Sequence, residues 1–154
     1  MSVTTVVLLA LAFVVINGLF VAAEFALIAA PKPSLERRST HGDALASRVL
    51  LVLTSPARQD QYVATAQLGI TLASLGLGMY GEHELAGIFE RHLHQLSPGS
   101  EATLASAMAL ALLTLLHIVV GEMVPKGVAL QNPERMARLA HWPMQGLLIA
   151  LYPF

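Results

Sequence analysis

Long apolar runs alternate with short polar stretches along this chain. Residues 3–30 read VTTVVLLALAFVVINGLFVAAEFALIAA, in which Asn17 and Glu24 are the only strongly polar side chains. About 20 mostly apolar residues suffice for a transmembrane helix, so this run predicts one. Pro31 and Pro33 end it, because proline cannot continue a helix and restricts the residue before it. Residues 62–81, YVATAQLGITLASLGLGMYG, carry no charge and predict a second span. Its glycines, Gly69, Gly76, Gly78 and Gly81, allow close helix approach or an unwound stretch. Residues 102–121, ATLASAMALALLTLLHIVVG, predict a third span, ending at Glu122 and Pro125.

Between these runs the chain is amphipathic. Leu45, Val49, Leu50, Val52 and Leu53 predict an interfacial helix over residues 42–54, too short and too charged to cross. Residues 82–101 predict a short amphipathic helix and a turn. Residues 133–154 predict a further juxtamembrane helix, and the pattern leaves open whether its apolar end, WPMQGLLIALYPF, spans or lies on the membrane. The chain stops inside that run, so the natural protein is expected to continue. The fold class is thus an all-α membrane protein: three transmembrane helices plus short juxtamembrane helices in one domain over residues 1–154.

Composition agrees. Charged residues make up 12% and mean hydropathy is +0.64, against about 25% charged in soluble domains. The first run is not read as a signal peptide. No Lys or Arg precedes it, and it far exceeds the roughly 7–15 residues of a signal's apolar region. A net charge of −1 gives no basic excess for nucleic acid. With no cysteine, disulfides, thiolate metal sites and cysteine nucleophiles are excluded. GxSxG, HExxH, Walker and GxGxxG motifs are absent, so no enzyme is expected. Residues 31–60 carry Lys32, Arg37, Arg38, Arg48 and Arg58, and Lys126, Arg135 and Arg138 follow the third run, whereas residues 82–101 carry Arg91 alone against four acids. The positive-inside rule then puts the first and third polar stretches in the cytoplasm and the N-terminus outside.

The polar residues inside the apolar runs are the candidate chemistry. An intramembrane carboxylate costs roughly 2.5–3.5 kcal/mol even on lenient scales and normally faces protein or water. Asn17, Val21 and Glu24 share one helical face. So do Gln67, Thr71, Ser74 and Gly78, and Thr114, Ile118 and Gly121, flanked by His117 and Glu122. These are hard oxygen ligands, suited to Mg²⁺, Ca²⁺ or Na⁺. Pro125 has no N–H to give the carbonyl of Gly121, which leaves that oxygen free in the same turn as Glu122. Bland readings compete. Thr71 and Ser74 can bond back to their own helix, Asn17 and Gln67 can glue helices together, Glu122 can pair with Lys126 at i+4, and His117 can relay protons or bond within the bundle. His83, His92 and His94 lie among acids but match no zinc spacing and read as a solvated face.

NGLFVAAEFALIA, then QLGITLASLGLG with YGE, then VVGEMVPKGVALQNPE resemble the three membrane helices of the DUF21 domain. That domain is the transmembrane module of the CorC and CNNM magnesium transporters, also labelled haemolysin-related. The resemblance covers nearly the whole chain and is most specific at GE-x-x-PK. It implies a homodimer in a bacterial-type inner membrane that exports Mg²⁺ by alternating access, coupled to Na⁺ entry. It also implies ATP binding only through cytoplasmic CBS domains that are not in this sequence. By motif, the metal ligands fall on Glu122, Thr71 and Ser74, and the freed carbonyl of Gly121 joins them. The helix-one element F-S-x-x-E reads Phe20-Val21-Ala22-Ala23-Glu24 here. With valine in place of serine, backbone oxygens of Val21 and Ala22, or Asn17 or Glu24, would have to substitute. Glu24, Asn17, Gln67, His117, Pro125 and Lys126 are expected to line the path or serve a second ion. The alternatives are a non-transporting regulator of magnesium homeostasis, or a carrier or channel for another cation.

Overall fold

The computed structural model describes residues 3–84, 86–88 and 101–151. Among them every regular element is helical. They are α1 (Val3–Ala29), α2 (Lys32–Thr40), α3 (Ala44–Leu53), α4 (Pro56–Gly76) with a π-helical continuation over Leu77–Glu82, α5 (Glu101–Leu116), a π-helical turn over His117–Met123, α6 (Val124–Gln131) and α7 (Pro133–Leu151). Three stretches are long and apolar enough to cross a membrane: Val3–Ala29, Pro56–Ile88 and Thr103–Gln131. The expected turn after residue 88 lies outside the described residues.

The three expected spans are there, with different ends. Pro31 and Pro33 stop α1, but they also start α2, where Pro33 occupies the first turn and its missing N–H costs nothing. The pattern did not predict α2, because its single buried residue, Leu35, gives no periodicity. The second span begins at Pro56, another first-turn proline, ahead of the apolar run; Arg58 and Asp60 are exposed there. The third does not end at Pro125. Pro125 cannot accept α-helical geometry with Gly121 behind it, and the chain answers with the π turn over His117–Met123 and continues helical to Gln131. An extra residue in a turn relieves such a clash without breaking the helix.

α1 is the central element, packed against α4, α6, α7 and both π turns. Its side chains join two apolar clusters. One, toward the polar end, gathers Ala22, Ala23, Ala26 and Leu27 with Leu35, Val49, Tyr62, Ala66, Ala137 and Met144. The other joins Ala10 and Val14 to Leu77 and Leu113. Two glycines of α4 set the α1–α4 approach. A Cβ on Gly69 would lie 2.6–2.7 Å from the Phe20 ring, its Cγ included, and one on Gly76 would strike the outer edge of Phe13. Phenylalanines seven apart thus fill notches seven apart. Leu8, Leu11, Val15 and Leu19 stay exposed on the opposite side of α1, an apolar surface suited to hydrocarbon.

α2, α3 and α7 form a polar-edged belt. Asp43 caps α3 by accepting from the N–H groups of Leu45 and Ala46, both at 3.1 Å, and its other oxygen meets Arg138 at 3.3 Å. Gly42, at φ +86°, makes the turn into that cap, a conformation that favours glycine. Arg38 pairs with Glu134, which also accepts from Ser34 Oγ at 2.6 Å.

Two predictions follow from this packing. Gly69→Ala and Gly76→Ala should each destabilise the protein by about 1–3 kcal/mol through overpacking, because a Cβ at either position would run into a phenylalanine ring. Thermal unfolding in detergent checks both, and an unchanged melting point for either would contradict the notch geometry. The Ala46 N–H, helped by Arg138 and Leu45 N–H and opposed by partial burial, holds Asp43 below its ordinary 3.8. The stabilisation it supplies is therefore complete above that value and is lost as pH falls through its lower folded value. Acid melting curves of Asp43→Asn should lose this step while those of the parent keep it.

Candidate functional site

Near the middle of α1, where the two apolar clusters part, lies a layer of polar side chains. Asn17 is 1% exposed, and its Nδ2 donates to the carbonyl oxygen of Gly121 at 2.9 Å. Ser74 Oγ, on α4, donates to Asn17 Oδ1 at 3.5 Å and lies 3.2 Å from His117 Nε2. One residue from each of the three spans, plus a backbone carbonyl, therefore meet at one level.

The local sequence explains each position. Pro125 deprives Gly121 O of its helical donor, as the sequence implied, and Asn17 supplies the replacement. The π turn presents His117 and Gly121 together, so a Cβ at 121 would lie 2.9 Å from the His117 ring and 3.2 Å from Asn17 Nδ2. Gly18 lets α1 close on the proline: a Cβ there would come within 2.8 Å of Pro125 Cγ. The Asn-Gly pair of α1 thus docks onto the Gly-x-x-x-Pro of the third span.

Proton counting orders this layer. A serine hydroxyl has one hydrogen. If Ser74 donates it to Asn17 Oδ1, His117 Nε2 must carry the proton of the second contact. The bonds then run in one direction, from His117 to Ser74 to Asn17 to the Gly121 carbonyl. If Ser74 turns its hydrogen to His117, Asn17 Oδ1 is freed.

The structure brings together Asn17, Ser74, His117, Gly121 and Pro125 from the residues singled out in the sequence. The others stand apart. Thr71 is exposed, and its hydroxyl donates to Gln67 O at 2.8 Å within α4. Gln67 is also exposed. Glu122 is exposed next to Gly121, and among the described residues it forms no ion pair. Lys126, its supposed partner, instead places Nζ 4.3 Å from the centroid of the Phe25 ring. Val21 and Ala22 are buried in the unbroken helix α1, and Glu24 is half-buried further along it. No cluster of three or more His, Asp or Glu occurs among the described residues. Gly18 was missed by the sequence reading; its one signal was its place next to Asn17.

Comparison with known proteins agrees with this architecture. A family model described as "Cyclin M transmembrane N-terminal domain" matches residues 8–154. UPF0053 protein YhdT of Bacillus subtilis is 37% identical over 147 residues, covering 92% of this chain and 30% of its own length. UPF0053 protein YhdP of the same organism is 36% identical, covering 100% of this chain and 34% of its own length. Uncharacterized protein Rv1841c of Mycobacterium tuberculosis is 39% identical, covering 90% and 39%. The chain spans about a third of the length of these curated relatives.

Asn17→Ala should cost about 1–3 kcal/mol, the penalty of removing the buried amide's hydrogen bond to the Gly121 carbonyl. Ser74→Ala should cost less, since its bond to Asn17 is long. Melting in detergent checks the order, and a larger loss for Ser74→Ala would refute the assignment of Asn17 as the main tie.

Proposed function

The chain belongs to the cyclin M transmembrane N-terminal domain family, and from that premise we propose that it is the membrane module of a divalent-cation carrier whose cargo is Mg²⁺. The observation that carries this reading is the buried layer joining all three spans, with Asn17 1% exposed at its centre. A membrane helix bundle that needed only to hold together would gain from apolar packing at that level, because a polar group there is costly unless paired. The layer instead concentrates hard oxygens: Asn17 Oδ1, Ser74 Oγ and Gly121 O, with the Glu122 carboxylate on the neighbouring residue.

In the proposed cycle, Mg²⁺ takes the place that the Asn17 amide N–H holds at the Gly121 carbonyl. Asn17 turns its oxygen to the ion, and Ser74, released from Asn17 Oδ1 but still accepting from His117 Nε2–H, turns its hydrogen to an ion-bound water and offers its second lone pair. Mg²⁺ dehydrates reluctantly and keeps several waters, so three neutral oxygens suffice once the exposed Glu122 side chain turns its carboxylate in toward them. Thr71 joins only by giving up its bond to Gln67 O. Glu24, half-buried on the same face of α1 about 10 Å along the axis, is the candidate for a coupling ion such as Na⁺. The working unit is a homodimer in a bacterial-type inner membrane, with the N-terminus outside and the belt of α2, α3 and α7 in the cytoplasm. The cycle makes and breaks no covalent bond, so no enzyme activity belongs to it.

The test is Mg²⁺ flux into vesicles by the purified protein alone. Glu122→Gln should lower flux about tenfold or more, the equivalent of about 1.4 kcal/mol of cation binding, while Gln67→Ala leaves it unchanged. No flux from the parent protein would favour a regulator that acts on other transporters. Unchanged flux in Glu122→Gln would remove Glu122 from the path.

A further inference from the structure

A cavity of about 570 Å³ opens between α3, the first turns of α4 and α7, within the roughly 300–1,000 Å³ of small-ligand sites. Arg48, Arg58, Gln61 and His141 line it, and among the described residues no Asp or Glu does. The larger cavity between α2 and α7 differs. There Arg38 is paired with Glu134 and Arg138 with Asp43, so two of its three arginines are already neutralised and Arg135 alone stands outside those pairs. In the first cavity the two guanidinium charges are uncompensated by any lining group. Arg48 is held in place, its guanidinium 5.4 Å from the centroid of the Trp142 ring.

Beneath them His141 is 3% exposed, and its Nε2 has no hydrogen-bond partner. Burial and the neighbouring Arg48 push this imidazole below its ordinary value of 6.5. At neutral pH it is therefore uncharged, and the arginines supply the cavity's positive charge. The rim is the opposite in character. Leu51 and Ile149 are 53% and 71% exposed. Arg58 sits just inside the start of the span that begins at Pro56, the level at which an apolar segment meets lipid phosphates. Basic pockets between membrane helices at this depth suit anionic headgroups.

We propose that this cavity is a binding site for the phosphate headgroup of an anionic membrane lipid. Arg48 and Arg58 hold the phosphodiester, Gln61 donates to a glycerol or ester oxygen, and the acyl chain runs out over Leu51 and Ile149. The exposed aliphatic rim distinguishes a lipid from a free anion, for which it offers nothing. A bound lipid would bridge α3, α4 and α7 and so fix the belt to the start of the second span.

The test is lipid retention by the purified full chain in neutral detergent, read by native mass spectrometry during titration with dioleoyl phosphatidylglycerol. Arg48→Gln with Arg58→Gln should weaken retention about tenfold or more. Arg48→Lys with Arg58→Lys should keep most of it, and Arg135→Gln, on the other cavity, all of it. Equal amounts of inorganic phosphate should displace no lipid. The proposal is overturned if the double glutamine variant retains the lipid as well as the parent, or if phosphatidylcholine is retained equally. It also fails if inorganic phosphate displaces the lipid, or if the double variant changes oligomeric state without losing lipid, which would give the cavity to a second copy of the chain.

Discussion

The hydrogen bond from Asn17 Nδ2 to the Gly121 carbonyl is the constraint around which the bundle is arranged. It begins with Pro125, which has no N–H to give and crowds the carbonyl behind it. In water a freed carbonyl would be solvated. At membrane depth it costs several kcal/mol unless another protein group reaches it. The chain answers by widening the helix into a π turn and by bringing a buried amide from α1 to the open oxygen. That fixes the height of α1 against the third span. Gly18, one residue on, accepts the proline ring, so the same contact fixes rotation as well.

With α1 placed, α4 has little freedom. Gly69 and Gly76 must meet Phe20 and Phe13, and at that register Ser74 arrives beside Asn17 and His117. A slide by one helical turn would bury the phenylalanine rings against side chains instead of notches and would take Ser74 out of reach. The apolar clusters on either side of the layer then supply non-directional stabilisation that would tolerate many registers. The polar layer and the glycine notches select one among them.

This division explains what could be read from the sequence. The three spans were legible because hydrocarbon thickness imposes a length of about 20 apolar residues that no other element mimics. Asn17, Ser74, His117 and Gly121 were legible because each is costly where it lies, and the Gly121 carbonyl because proline chemistry is local. Less legible was anything that depends on which groups meet in space. The exposed placement of Glu122 follows from the π turn, which rotates the helix after His117, and no residue pattern announces that rotation. Thr71 shares a helical face with Ser74 at the level of spacing. Yet its hydroxyl closes onto its own helix, a choice decided by the lack of a partner opposite. α2 was missed because one buried leucine makes no periodicity, and the contact of Lys126 with Phe25 was not foreseen because the ring is distant in the chain.

The energetics of the layer argue that it is poised rather than locked. Each neutral hydrogen bond in it is worth about 0.5–1.5 kcal/mol net, and the Ser74–Asn17 bond, at 3.5 Å, belongs at the weak end. Breaking any of them without replacement would cost more than that, because the freed oxygens would stand unpaired in an apolar surround. In the proposed cycle an entering cation would remove this penalty as it arrived, since it would offer the same oxygens positive charge in place of a donor hydrogen. Exchange of the amide N–H for an ion would thus trade one satisfied state for another, with the unsatisfied state between them as the barrier. A helix pair sealed by leucine at the same level would have no second satisfied state to move to. The polar layer therefore gives the bundle a unique register and, in the proposed cycle, would give it a low-cost alternative, and both properties trace to the carbonyl that Pro125 leaves without its α-helical donor.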